Sequence, residues 1–131
     1  MANALYPKFK QSLLTAGIDV ENSNIKAILV DTGTYTYSAT HQYLSSVSGI
    51  VATSGNLASK TITDGVFDAA DVTFTGVSGS SVEAIILYED TGVAGTSQLI
   101  AYFDTGVTGL PVTPNGGDII IQWNASGIFA L

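Results

Sequence analysis

Asp-Thr-Gly occurs three times in this chain, at Asp31-Thr32-Gly33, Asp90-Thr91-Gly92 and Asp104-Thr105-Gly106. Behind an apolar strand, as in Ala27-Ile28-Leu29-Val30-Asp31-Thr32-Gly33, the tripeptide can supply one carboxylate of an aspartic protease. That aspartate shares a proton with a second one across a two-fold axis. A retropepsin-like dimer using Asp31, with a flap near Asn115-Gly116-Gly117, is the remote catalytic reading. The same tripeptide is also good turn chemistry, because Asp bonds back to the backbone and Gly accepts positive φ. Three copies, with no second apolar-apolar-Gly element of a protease lobe, favour turns.

The remaining candidates are weaker. His41 is the only histidine, and no Gly-x-Ser-x-Gly elbow accompanies it, so a serine-based triad has little support. Asp64, Asp68 and Asp71 could face a hard cation, but their spacing does not follow the alternate oxygen ligands of an EF-hand. Trp123 with Tyr88, Tyr102 and Phe103 could stack on a sugar or base. Tyr102 and Phe103 are neighbours, though, and point to opposite faces of a strand, so burial in the core is the expectation. The sequence thus predicts no catalytic, cofactor-binding or metal-ligating residue, no cofactor, and a chain that is not an enzyme.

The elements that would hold these residues are mostly strands. An N-terminal helix is expected over Ala4 to Ala16, with Leu5, Phe9, Leu13 and Leu14 on one face. Pro7 fits its first turn and Gly17 its C-terminal stop. Ile18 to Asn24 reads as a turn and Ile25 to Val30 as a strand. Thr34 to Tyr37 is a short strand or extended loop. Ser38 is a candidate cap for a short helix over Ala39 to Ser46, with Tyr43, Leu44 and Val47 inward. Ile50 to Thr53, Ser59 to Thr63 and Asp71 to Thr75 follow as strands, with a loop from Asp64 to Ala70 between the last two. Thr61-Ile62-Thr63 and Val72-Thr73-Phe74 alternate, as a strand with one wet face does. Val82 to Tyr88, Leu99 to Phe103 and Ile119 to Trp123 form the expected core meander. Gly127 to Leu131 is a last strand, or a tail donated to a neighbouring subunit. The fold class is mainly β (α+β): an antiparallel β-sandwich or partly closed barrel with an N-terminal helix and one short additional helix.

Composition bounds the partners. The 131 residues suit a single domain, with an N-terminal helix in 1–17 and a β-rich body in 25–131. Only 11% of the residues are charged, far below the roughly 25% of ordinary soluble domains. Neutral polar surface is therefore abundant, which suits lasting contacts in an assembly. The net charge is −7 and no arginine is present, so a phosphate backbone has no electrostatic footprint and no nucleic-acid partner is expected. There is no cysteine, which removes disulfides and thiolate chemistry. No apolar stretch reaches signal-peptide or membrane-spanning length. The expectation is a chain made in the cytoplasm, unprocessed, with no membrane partner.

Several whole phrases of the chain resemble a family of small structural proteins of tailed-bacteriophage virions. They are Met1 to Leu14, Ile25 to Thr32 with Tyr35 to Ser38, Val51 to Leu57, Thr63 to Phe74, and Gly109 to Asp118. The likeness covers nearly the whole chain and carries no catalytic residues. It implies a virion subunit, by analogy of size and class a head decoration (cement) protein. Tail, collar or baseplate is the alternative. The implied partners are the major capsid protein or other virion subunits, with self-association into a homo-oligomer. Leu5, Tyr6, Phe9 and Leu13 of the helix, and Ile128, Phe129 and Leu131 of the apolar end, are the interaction candidates. Packing of the helix face on the chain's own sheet is the competing expectation.

Overall fold

The computed structural model describes residues 3–131. Met1 and Ala2, the start of the expected helical segment and of the first resembling phrase, lie outside the described residues. The chain runs β1 (Ala4–Leu5), α1 (Pro7–Leu14), β2 (Ile25–Val30), a single 3-10 turn (Leu44–Ser46), β3 (Ile50–Thr53), β4 (Thr61–Thr63), β5 (Val66–Asp68), β6 (Val72–Phe74), β7 (Ala84–Glu89), β8 (Leu99–Phe103), β9 (Ile119–Ile121) and β10 (Phe129–Ala130). It is mainly β, with antiparallel sheets and, among the described residues, one α-helix.

A five-stranded sheet in the order β1-β8-β7-β2-β3 holds the centre. Its three inner strands read IKAILV, AIILYE and LIAYF, and nearly every residue in them is buried. Continuous apolar runs of this kind belong to strands covered on both faces. The register places Ile28, Ile86 and Tyr102 in one cross-strand row and Ala27, Leu87 and Ala101 in the next. Alternate rows face opposite sides of the sheet. Two smaller sheets accompany it, β10-β5-β4 and β6-β9, and the sheets do not close on one another.

Several expectations are corrected. Ala4 and Leu5 are strand rather than helix, pairing with Tyr102 and Ala101. The residue before a proline is pushed out of the α region, and Tyr6 sits at φ −64°, ψ 131° with its N–H donating to the Ile100 carbonyl. The short helix over Ala39 to Ser46 shrinks to one 3-10 turn, because the backbone there serves the central sheet. Tyr43 bridges Gln98, Leu44 N–H donates to Ser97, and Leu99 N–H donates to Gln42. Ser38 accepts the Thr40 N–H at 3.2 Å and caps no helix.

The expected meander keeps only its first two runs. β7 and β8 pair, but β9 pairs with β6, and the outer neighbour of β8 is β1. The loop expected from Asp64 to Ala70 contains β5. Asp64 and Gly65 take φ of 52° and 80° between Thr63 and Val66, which face each other in register. Two positive-φ residues spanning a two-residue hairpin make the primed turn that Asp-Gly favours. The apolar end is a strand of the chain's own sheet, with Phe129 opposite Phe67 and Leu131 N–H donating to Gly65.

Candidate functional site

The three Asp-Thr-Gly segments are spread over both ends of the central sheet. Asp31 follows β2 at the end where Val30 pairs with Ala84, whereas Asp90 follows β7 at the opposite end, where Glu89 pairs with Ile25. Asp31 Oδ1 accepts the Gly33 N–H at 2.9 Å, and Asp90 Oδ1 accepts the Gly92 N–H at 3.0 Å. Both carboxylates thus act as Asx-turn acceptors. Asp90 also pairs with Lys26 at 2.9 Å, and this contact, then the Gly92 N–H, holds its carboxyl below the ordinary range. The third turn is held differently. Asn3 Oδ1 accepts the N–H groups of Asp104 and Thr105 at 2.7 and 3.0 Å, and Asn3 Nδ2 donates to the Thr105 carbonyl at 2.8 Å. Residues about a hundred positions apart in sequence are thereby tied together.

His41, itself only partly buried, ends a chain of buried tyrosines. Its Nδ1 is 2.8 Å from the Tyr35 hydroxyl, which is 2.7 Å from the Tyr6 hydroxyl. Rings of Tyr37 and Tyr102 pack beside them. Burial pushes Tyr6 far above the ordinary phenol range, and burial followed by the Asp104 charge pushes Tyr102 up to about 12. The network opens on a cavity of about 380 Å³ beside Glu83 and Asp104. Glu83 is engaged inside the fold, accepting both the N–H and the hydroxyl of Thr32 at 3.0 Å.

The loop aspartates are likewise used by the chain. Asp68 accepts the Ala69 N–H and Asp71 accepts the Trp123 N–H. Among the described residues, no group of three or more His, Cys, Asp or Glu is placed to hold a metal. Tyr88, Tyr102 and Phe103 are buried. Trp123 is half-buried, its Nε1 donating to the Ala70 carbonyl at 3.1 Å.

The interaction candidates do converge, in part. A groove of about 440 Å³ runs between α1, the turn at 18–21 and the β10-β5-β4 sheet. Strand register builds its floor: Ile62 faces Phe67, and Phe67 faces Phe129, so the three side chains form one row. Phe9 closes on Phe129 edge-to-face at 5.9 Å, while Phe67 and Phe129 lie 5.2 Å apart. Leu13, Ile18 and Val20 supply the walls, Leu131 lies at one mouth, and Asp19 and Glu21 stand on the rim. Lys60 fixes that rim by donating to the carbonyls of Val20 and Ser23. Asp19 accepts from Asn22 and Glu21, and the Asn22 side-chain amide is the main cause of its lowered pKa.

Of the seven candidates, Phe9, Leu13, Phe129 and Leu131 therefore share one groove. Ile128 lines a separate cavity with Phe103 and Trp123. Tyr6 and Phe9 are wholly buried, while Leu5 and Leu13 are partly covered. The helix face packs largely on the chain's own sheet, and what it leaves open is the groove. Ile62 and Phe67 were missing from the sequence-based set, although Asp64-Gly65 signals the hairpin that pairs them. No protein-family model matches the chain, and no curated protein matches it.

Proposed function

We propose that this chain is a structural subunit of a tailed-phage virion, a capsid decoration (cement) protein that binds the outer surface of the head shell and stabilises it. Its partners are the major capsid protein, other virion subunits and further copies of itself. It acts in the virion after synthesis in the host cytoplasm. The family resemblance suggests this reading. The observation that carries it is the apolar groove at the helix and C-terminal sheet, which gathers four of the residues expected to make contacts.

A decoration subunit needs a stiff body, and we read the central sheet and the smaller sheets as layers of a sandwich. The burial of β2, β7 and β8 on both faces supports that layering. Surfaces with few charges lose little on desolvation against a shell. Repetition over a symmetric particle turns a modest contact into strong retention.

The test is the copy number per purified particle, by quantitative mass spectrometry. Hundreds of copies, with labelled antibody on the head, are expected. A dozen copies would overturn decoration in favour of a connector or baseplate role, and labelling confined to the tail would overturn it in favour of a tail component. For the remote protease reading, an Asp31→Asn variant that still assembles, from a parent with no peptidase activity, excludes it.

A further inference from the structure

We infer that the groove beside α1 receives a second copy of this chain, in a two-fold contact that seats Leu14 of each helix in the groove of the other. This deepens the assembly reading above and rests on it, by naming the partner and the face.

The groove floor is apolar but incompletely covered. Ile62, at the outer end of the Ile62–Phe67–Phe129 row, is 47% exposed, and Leu131 at the mouth is 72% exposed. On the adjoining helix Leu14 is 89% exposed, the most exposed large apolar side chain among the described residues. Large apolar groups left in water around one concave surface mark a contact site. Leu13, Leu14 and the row therefore ask for an apolar cover, and Leu14 itself is a group of the right kind.

Charge decides what supplies the cover. The chain carries −7 with only four cationic side chains, so two copies repel unless their few cations meet carboxylates. Lys26 is paired with Asp90 and Lys60 is bonded to the 20–23 turn. Lys8 and Lys10 remain as the basic end of α1. Lys10 and Leu14 are both exposed and four residues apart, hence on one side of the helix. The groove presents the complement of that pair, an apolar floor with Asp19 and Glu21 at its rim. In an isologous contact each copy gives Lys10 and Leu14 and receives the other's, so the match is made twice. Such rim charges would chiefly set orientation and association rate, and the leucines the residence time.

The test is sedimentation of the intact chain across the micromolar range at low and high salt, with variants at exposed positions that leave the fold alone. A concentration-dependent dimer, weakened by salt, is expected. Leu14→Asp and Lys10→Glu should each weaken it by about tenfold or more. Adding Glu21→Lys to Lys10→Glu should recover part of the loss. A wild-type chain that stays monomeric, a closed trimer, or a dimer indifferent to Leu14→Asp would each overturn the inference. A monomer still found in hundreds of copies per particle would overturn this contact alone and assign the groove to another virion subunit. A robust dimer found in low copy number would uphold the contact and overturn the head-decoration reading.

Discussion

Tyr35 stands between two partners, with Tyr6 on one side of its hydroxyl and His41 on the other. The chain of bonds closes when Tyr6 donates to Tyr35 and Tyr35 donates to an unprotonated Nδ1 of His41. Tyr6 is fully buried, so its hydroxyl depends on Tyr35, whereas Tyr35 keeps His41 if Tyr6 is lost. Removing one partner of a buried polar pair costs more than removing the pair's terminal member. Tyr35→Phe should therefore destabilise the fold by about 1–3 kcal/mol, and Tyr6→Phe by roughly 1 kcal/mol or less, read from urea midpoints. Equal losses would mean that the hydroxyls are not coupled in this way. The same burial sets a pH limit. The phenols of Tyr6, Tyr35, Tyr37, Tyr88 and Tyr102 are all pushed up, with burial the first cause in each. A raised folded-state pKa means that the unfolded chain gives up its protons first as pH rises. Stability is then intact below the unfolded phenol pKa of about 10 and falls above it. Absorbance titration should show these tyrosines ionising together with loss of far-UV structure. Ionisation of all of them at the ordinary pKa, in a chain still folded, would contradict the burial.

The end of α1 shows how an element can be right in kind and shifted in detail. Gly17 looked like the left-handed residue that stops the helix, yet Ala16 occupies that conformation, with φ 57°. Gly17 N–H reaches back to Ser12 at 2.7 Å and Ala16 N–H to Leu13 at 3.3 Å, the paired bonds of a Schellman stop displaced by one residue. An alanine there carries a penalty of about 1–2 kcal/mol that glycine avoids, offset in part by glycine's freer unfolded chain. Ala16→Gly should thus stabilise by about 0.5–1 kcal/mol in thermal or urea unfolding. A loss of stability would show that the stop is made another way. Legibility followed the same physics across the chain. β2, β3 and β8 were readable to the residue, since their apolar runs end at clear turn residues. β1 was hidden because it is two residues long and held by β8 across the chain. β5 was hidden because Asp64-Gly65 reads as part of a longer loop, and with it went Phe67, the middle of the groove's floor row. The meander failed at β9, where three isoleucines specify a strand but not its neighbour.

At the scale of the whole molecule, three separate sheets raise the question of how many cooperative units they make. The buried side chains form one cluster that includes Ile28 and Ile86 of the central sheet, Phe67 of the hairpin sheet, and Phe74 and Ile121 of the β6-β9 pair. Phe9 links the central sheet to the hairpin sheet, since α1 leaves β1 directly and its ring meets Phe129. The small sheets have two or three short strands each, too few to stand alone in water. They persist because their inner rows share the core of the large sheet, so none should melt first. The single tryptophan offers a local probe of this coupling. Trp123 follows β9 and is tied to Ala70 and Asp71 ahead of β6, whereas far-UV circular dichroism is dominated by the five-stranded sheet. Urea unfolding followed by Trp123 fluorescence and by circular dichroism should give superimposable single transitions. An earlier fluorescence transition would separate β6-β9 from the rest. The β6-β9 pair would then be a separate unfolding unit, distinct from the β10-β5-β4 sheet that floors the groove.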